Sequence, residues 1–191
     1  MAIPIPRRPS GFLLGKADAL VTIDVFLDIQ CPHSRAAWPS LMVLMESYKD
    51  KSLSLRVHLL TLSNHRQAWD VSLGIFALAE GDAERCRDFV SFLFERQEQF
   101  NNAAFSNKSH VDLQQLVADL AQEHGAADRN AFLERMQSHE IYVDARTPIR
   151  YAATKSVWAT PTFFVNNGDN VPVDHKSDLS AWQQLLDPLF V

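Results

Sequence analysis

The chain has 191 residues, 47% of them hydrophobic and 21% charged. That supplies enough apolar material for one packed domain, or one domain carrying an insertion, and too much for a disordered chain. The formal net charge of −5 gives no electrostatic support for nucleic-acid binding, and no apolar run reaches the roughly 18 residues that a membrane-spanning helix needs.

The first nine residues carry three prolines and the basic pair Arg7-Arg8, which predicts an extended arm. The apolar patch that follows, Phe12-Leu13-Leu14, is too short for the central segment of a secretory signal. As given, the chain reads as cytoplasmic; a periplasmic chain stripped of its leader would read the same.

Residues 20–29 predict the first strand. Val21, Ile23, Val25, Leu27 and Ile29 fall on one face, and Thr22, Asp24, Phe26 and Asp28 on the other. Cys31-Pro32 ends it, and proline suits the first turn of a helix predicted over 33–48. Pro39 is positioned to kink that helix. A second strand is predicted over 53–60, with His58 alternating outward. Strand, helix, strand is the beginning of a βαβ unit.

The middle of the chain predicts four helices, over 67–79, 83–100, 110–123 and 129–144, and no strand. Thr162 to Val165 then predicts a short strand, Asn167-Gly168 a hairpin turn, and Val171 to Val173 a return strand. A last helix, capped by Ser177, runs through Leu186. The order implies an α/β fold in which a mixed sheet is covered by helices and interrupted by a helical insertion.

Two cysteines, Cys31 and Cys86, do not make a disulfide framework. Cys31 sits where a strand gives way to a helix, and unpaired amides at a helix start favour a thiolate. The competing reading of Cys31 is a small buried residue. Cys86 precedes Phe89, Val90 and Leu93 on a helical face and reads as core. Pro161, just before an apolar strand, is either cis in a tight turn or a simple strand start. Asp28 is a candidate for proton transfer to the thiol, against a local capping role. Trp158, three residues before Pro161, is either an apolar rim for a substrate or a bridge between insertion and core. The histidines show no metal-ligand spacing, so no metal site is expected.

Three segments carry a family resemblance: Gly15 to Ile23, Phe26-Leu27-Asp28-Ile29-Gln30-Cys31-Pro32-His33, and Thr160-Pro161-Thr162-Phe163-Phe164-Val165-Asn166. In this order and spacing the chain resembles the DsbA-like branch of thioredoxin-fold proteins. The resemblance implies a thioredoxin-like mixed sheet flanked by helices, with an all-helical insertion. Residues 15–66 and 149–191 would be the two halves of the thioredoxin-like domain, and 67–148 the insertion. It implies that Cys31 is the exposed nucleophile and that His33 tunes it. Pro161 would be cis and face Cys31, and Thr160 would offer its backbone to an extended peptide or to glutathione; Pro32 and, from its position, Trp158 are the further candidate substrate contacts. The chain departs from the dithiol pattern at Ser34, where the second cysteine would stand. A hydroxyl cannot replace the attacking thiolate, although it can donate a hydrogen bond to the Cys31 sulfur.

The expected activity is therefore thiol–disulfide exchange by a monothiol route. Protein thiols or disulfides, or glutathione, would be the partners. No bound cofactor is expected, glutathione serving at most as co-substrate. Two alternatives stand beside it: a glutathione transferase or isomerase resembling the kappa class and using Ser34, and a noncatalytic peptide-binding module.

Overall fold

The computed structural model describes residues 5–190. Four strands form one mixed sheet: β1 (Phe12–Gly15), β2 (Val21–Leu27), β3 (Leu53–Leu59) and β4 (Thr162–Val165), in the spatial order β1-β3-β2-β4. β2 and β3 are parallel, with Val21 opposite Leu53 and Leu27 opposite Leu59. Parallel neighbours need a crossover, and α1 (Pro32–Ser47) provides it. β1 and β4 are the edges, antiparallel to β3 and β2 respectively.

The alternation in β2 separates two packed layers. Val21, Ile23, Val25 and Leu27 enter the main core with Trp38, Leu41 and Leu44 of α1. That core also takes Phe163 and, from α7 (Leu179–Leu186), Trp182, whose ring meets Phe163 edge-on at 5.2 Å. Phe26 points the other way, into a smaller cluster with Leu60, Val157, Phe164 and Ala152 of α6 (His139–Thr154). Between β3 and α6 lie α2 (Ala68–Ala79), α3 (Ala83–Glu95), α4 (His110–Glu123) and α5 (Arg129–Met136). The expected class therefore holds: a mixed sheet flanked by helices, with an extra all-helical region. No described helix is long and apolar enough to cross a membrane.

The differences from expectation are local, and each has a physical reason. β1 was not anticipated, because its apolar patch is too short to signal a strand without β3 beside it. Gly15 ends it at φ +92°, and a Cβ there would stand 2.9 Å from the Leu53 carbonyl. The helix expected over 83–100 stops at Glu95, and a 3₁₀ turn over Gln97–Gln99 directs Gln97 inward. The helix expected over 129–144 is two, because the Ser138 hydroxyl accepts the Ile141 N–H at 3.3 Å and starts α6 afresh. Helix α1 runs unbroken through Pro39.

The turn after β4 is centred on Asn166-Asn167, one residue earlier than expected. Both have positive φ, and the Gly168 N–H reaches the Val165 carbonyl at 2.9 Å. The expected strand over 171–173 does not form. A single bridge, Phe164 to Asn170, is all the pairing beyond the turn, and Pro172 has no N–H to extend it. Asp178, not Ser177, caps α7 by accepting the Ala181 N–H at 2.9 Å.

Candidate active site

The site is built where β2 ends and α1 begins. Cys31 is the N-cap of α1, with extended dihedrals (φ −74°, ψ 122°), and Pro32 opens the first turn. Its N–H is held by the Asp28 carbonyl at 3.0 Å, and its carbonyl accepts the Arg35 N–H at 3.1 Å. The Cys31 sulfur donates to the Thr160 carbonyl at 3.4 Å. The peptide bond after that carbonyl, Thr160–Pro161, is cis. Two segments far apart in the chain, Cys31–Pro32 and Thr160–Pro161, therefore meet at one sulfur.

Cys31 is 3% exposed, which corrects the expectation of an exposed nucleophile. The Thr160 carbonyl lies against the sulfur. Pro32 and His33 are the exposed residues of the first turn, and the His33 ring contacts that of His175 at 4.1 Å between centroids. Ser34 is fully buried, and its hydroxyl accepts the Asp28 N–H at 3.2 Å. It ties the strand end to the helix, and no bond from it to the sulfur is present.

Asp28 is buried beneath this junction. One carboxylate oxygen accepts the Gln30 N–H at 2.7 Å, and the other accepts the Leu62 N–H at 2.7 Å and lies 3.0 Å from His65 Nδ1. Burial holds the carboxyl above its usual range, although the two amides and His65 pull it down. Asp28 thus makes the local backbone bonds of the capping role weighed against proton transfer. Cys86 is packed in the core of α3 as a free thiol, and burial pushes its pKa up.

Sequence reasoning missed the supports of the site. The Gln97 amide, from the 3₁₀ turn after α3, donates to the carbonyls of Ile29 at 2.9 Å and Cys31 at 3.1 Å. Gln30 accepts the Gln67 N–H at 2.9 Å and donates to Asn102 at 2.8 Å. A lone glutamine carries no periodic signal, whether in the helical stretch that holds Gln97 or in the turn that holds Gln30.

Of the tryptophans, Trp38 is internal and bonds Ser91 at 2.8 Å, and Trp69 packs edge-on against Tyr142 at 5.8 Å. Trp158 is 80% exposed and does not bridge insertion and core. His58 is fully buried, contrary to its expected outward position. The face it occupies is covered by α6 and by the segment preceding β1. Its ring stacks on Phe26 at 4.6 Å, and its nitrogens meet Asp24 at 2.9 Å and the Ser10 hydroxyl at 2.8 Å. Asp24 is thereby committed away from the thiol. Among the described residues no group of three or more His, Cys, Asp or Glu side chains is placed to hold a metal.

A family profile described as Thioredoxin matches residues 7–188. No curated protein matches in sequence. Among solved structures, a Pseudomonas syringae protein provisionally assigned as a protein-disulfide isomerase superposes with a TM-score of 0.78 at 20% identity, covering 92% of this chain and 97% of that one. BdbD of Bacillus subtilis, in its oxidised form, gives 0.75 at 18% identity, covering 97% of each chain. Alpha-DsbA1 of Wolbachia pipientis gives 0.72 at 18% identity, covering 98% of this chain and 93% of that one. These likenesses are of fold: a thioredoxin-like sheet, structurally close to DsbA-like proteins.

Proposed function

Because the chain belongs to the thioredoxin family, we propose that it catalyses thiol–disulfide exchange through Cys31 alone. The observation that carries this reading is the Cys31 sulfur, at the start of α1, lying 3.4 Å from the Thr160 carbonyl beside cis-Pro161. The Thr160 segment offers main-chain groups to an extended substrate. We read residues 15–66 and 149–191 as the two halves that supply these segments, and 67–148 as the insertion that braces them.

The chemistry is two balanced displacements. The Cys31 thiolate attacks one sulfur of a disulfide, forms a mixed disulfide and expels the other sulfur as a thiolate. A second, external thiolate then attacks the substrate sulfur of the mixed disulfide, and Cys31 leaves as a thiolate again. No internal sulfur can perform the second step from position 34, because Ser34 is a hydroxyl tied to the Asp28 amide. To His33, in the first turn, we assign the tuning of the sulfur. Asp28 is the buried group able to take or return a proton. The burial of Ser34 weighs against the transferase reading, which would need its hydroxyl at the substrate.

The test is incubation with oxidised glutathione across a pH series, read by intact mass and peptide mapping. One glutathionyl group on Cys31, removed by added thiol, is the expected result. No adduct on Cys31, with a thiol that titrates like an ordinary cysteine near pH 8.5, would refute the reading.

A further inference from the structure

Asp24 and Phe26 of β2 stand beside Arg56 and His58 of β3, on the face of the sheet turned away from the main core. The buried His58 ring meets two polar partners there: Nε2 lies 2.9 Å from the Asp24 carboxylate, and Nδ1 lies 2.8 Å from the Ser10 hydroxyl. Burial lowers the His58 pKa although Asp24 pulls it up, so the ring is neutral at pH 7. A carboxylate only accepts, so Nε2 carries the ring proton and Nδ1 accepts from the hydroxyl. Phe26 stacks on the ring at 4.6 Å, and Tyr151 meets it at 5.0 Å, which fixes its plane. Serine, imidazole and carboxylate thus form a chain of two hydrogen bonds, in the order that activates a hydroxyl as a nucleophile.

Ser10 is half-buried and lines a pocket of about 40 Å³ with Arg8, Phe12, Phe76 and Thr147. A water needs roughly 10–15 Å³ of such space, so the pocket admits a group of roughly three non-hydrogen atoms, the size of an acetyl group. Two glycines make the arrangement possible. A Cβ on Gly11 would stand 2.8 Å from Nδ1 and Cε1 of His58, and one on Gly81 would stand 1.1 Å from Nη1 of Arg8. Both have φ of +86°, a second reason for glycine at each. The Arg8 guanidinium is thereby laid beside the pocket. Its contact with Asp144 is loose, at 4.0 Å, which leaves it donors for a negative oxygen.

Independently of the exchange reading, we infer that Ser10, His58 and Asp24 form a second catalytic site, which hydrolyses esters of short acyl groups such as acetate. The Ser10 oxygen attacks the ester carbonyl while its proton passes to His58 Nδ1. Asp24 is a positioning residue: it holds the imidazole in the required tautomer and faces the imidazolium that forms. Arg8 faces the negative oxygen of the tetrahedral intermediate. The bond to the alcohol then breaks, and the alcohol leaves with the proton from His58. Water repeats the sequence on the acyl-serine: it gives a proton to His58, the acid is released, and the proton returns to Ser10.

The experiment has two parts. A fluorophosphonate is incubated with the unmutated full chain, and the adduct is located by peptide mapping. Release of p-nitrophenol from its acetate and hexanoate esters is then measured in Cys31→Ala, where the active-site thiol cannot be acylated. One phosphonyl group on Ser10, absent when the chain is first unfolded in urea, is the expected result, with acetate turned over at least about tenfold faster than hexanoate. Ser10→Ala abolishes both signals. His58→Gln keeps groups able to bond both neighbours, yet lowers the labelling rate about a hundredfold. Asp24→Asn lowers the ester rate and moves the inflection of its pH profile to lower pH, because the carboxylate no longer raises the His58 pKa. Mapping on the unmutated chain decides the case even where a variant unfolds. No label on Ser10 in the folded chain, an undiminished labelling rate in His58→Gln, an unmoved inflection in Asp24→Asn, or hexanoate turned over as fast as acetate overturns the inference. None of these results bears on the adduct expected at Cys31.

Discussion

Replacing Gln97 by methionine tests whether the insertion holds the active-site turn through one buried amide. The two side chains have similar length and volume, so packing changes little. What is lost is the pair of bonds from the Gln97 amide to the Ile29 and Cys31 carbonyls, at 2.9 and 3.1 Å. The two carbonyls are not equivalent. Cys31 keeps the Arg35 N–H at 3.1 Å, whereas Ile29 loses the donor that the structure provides for it. Leaving one buried acceptor unmet costs about 1–3 kcal/mol, and a middle value of ~2 kcal/mol lowers Tm by roughly 4–8 °C in a domain of this size. Urea unfolding is the assay: the midpoint should fall with m unchanged. Gln97→Glu sharpens it, since a carboxylate faces two carbonyls and is stable there only when protonated. Its folded pKa is then raised, so its stability is highest in acid and falls as pH rises from about 4.3 through the folded value. A loss under about 0.5 kcal/mol in Gln97→Met, with Gln97→Glu no worse at neutral pH, would refute the reasoning.

Ser34→Cys should convert the site to a dithiol, so that the glutathione adduct on Cys31 becomes short-lived and an internal disulfide accumulates; an adduct as persistent as in wild type counts against the monothiol scheme. Burial lowers the His58 pKa below its usual value, despite the Asp24 carboxylate beside it. The unfolded chain therefore takes up this proton first, so stability holds above about pH 6.5 and declines as pH falls below it. His58→Gln should flatten that decline in urea midpoints measured from pH 7.5 to 5, and an identical slope would show that His58 is not its source. Asp28 has the opposite linkage: with its folded pKa raised, its contribution is greatest below about pH 3.9 and is lost as pH rises through the folded value. Comparing Asp28→Asn with wild type across that range should remove this slope, and the pH profile of Cys31 alkylation should shift with it if Asp28 exchanges protons with the thiol.

What could be read from the chain alone was whatever a local pattern determines. The alternation from Val21 to Leu27 marks a strand buried on both faces. Pro32 at the first turn marks the helix start, and the stripe of Leu113, Val117 and Leu120 marks α4 at its observed limits. The Cys31 and Pro161 segments were legible only as separate pieces, because their meeting at 3.4 Å spans 129 residues of sequence. β1, Gln97, Gln30 and the burial of His58 were not legible, for a common reason. Each is defined by a partner distant in the chain: β3 for Phe12–Gly15, two carbonyls of the active-site turn for Gln97, the Gln67 amide for Gln30, and Ser10 with Asp24 for His58. A short apolar patch or an isolated polar residue has no period to betray it.

Ser34 shows why the fold and the chemistry must be judged separately. Its hydroxyl is a better acceptor than a thiol for the Asp28 N–H, so at this position oxygen supports the strand-to-helix junction where sulfur would have served exchange. A cysteine placed there gives up a bond worth about 1 kcal/mol and gains a second nucleophile. The framework that holds Cys31 is otherwise independent of that choice: the Asp28 and Thr160 carbonyls, the Gln97 amide and the first turn of α1 position the sulfur through backbone groups and one glutamine. A site positioned in this way keeps its geometry whether it carries one sulfur or two. The number of sulfurs then decides whether the mixed disulfide is resolved from within or waits for a thiol from outside.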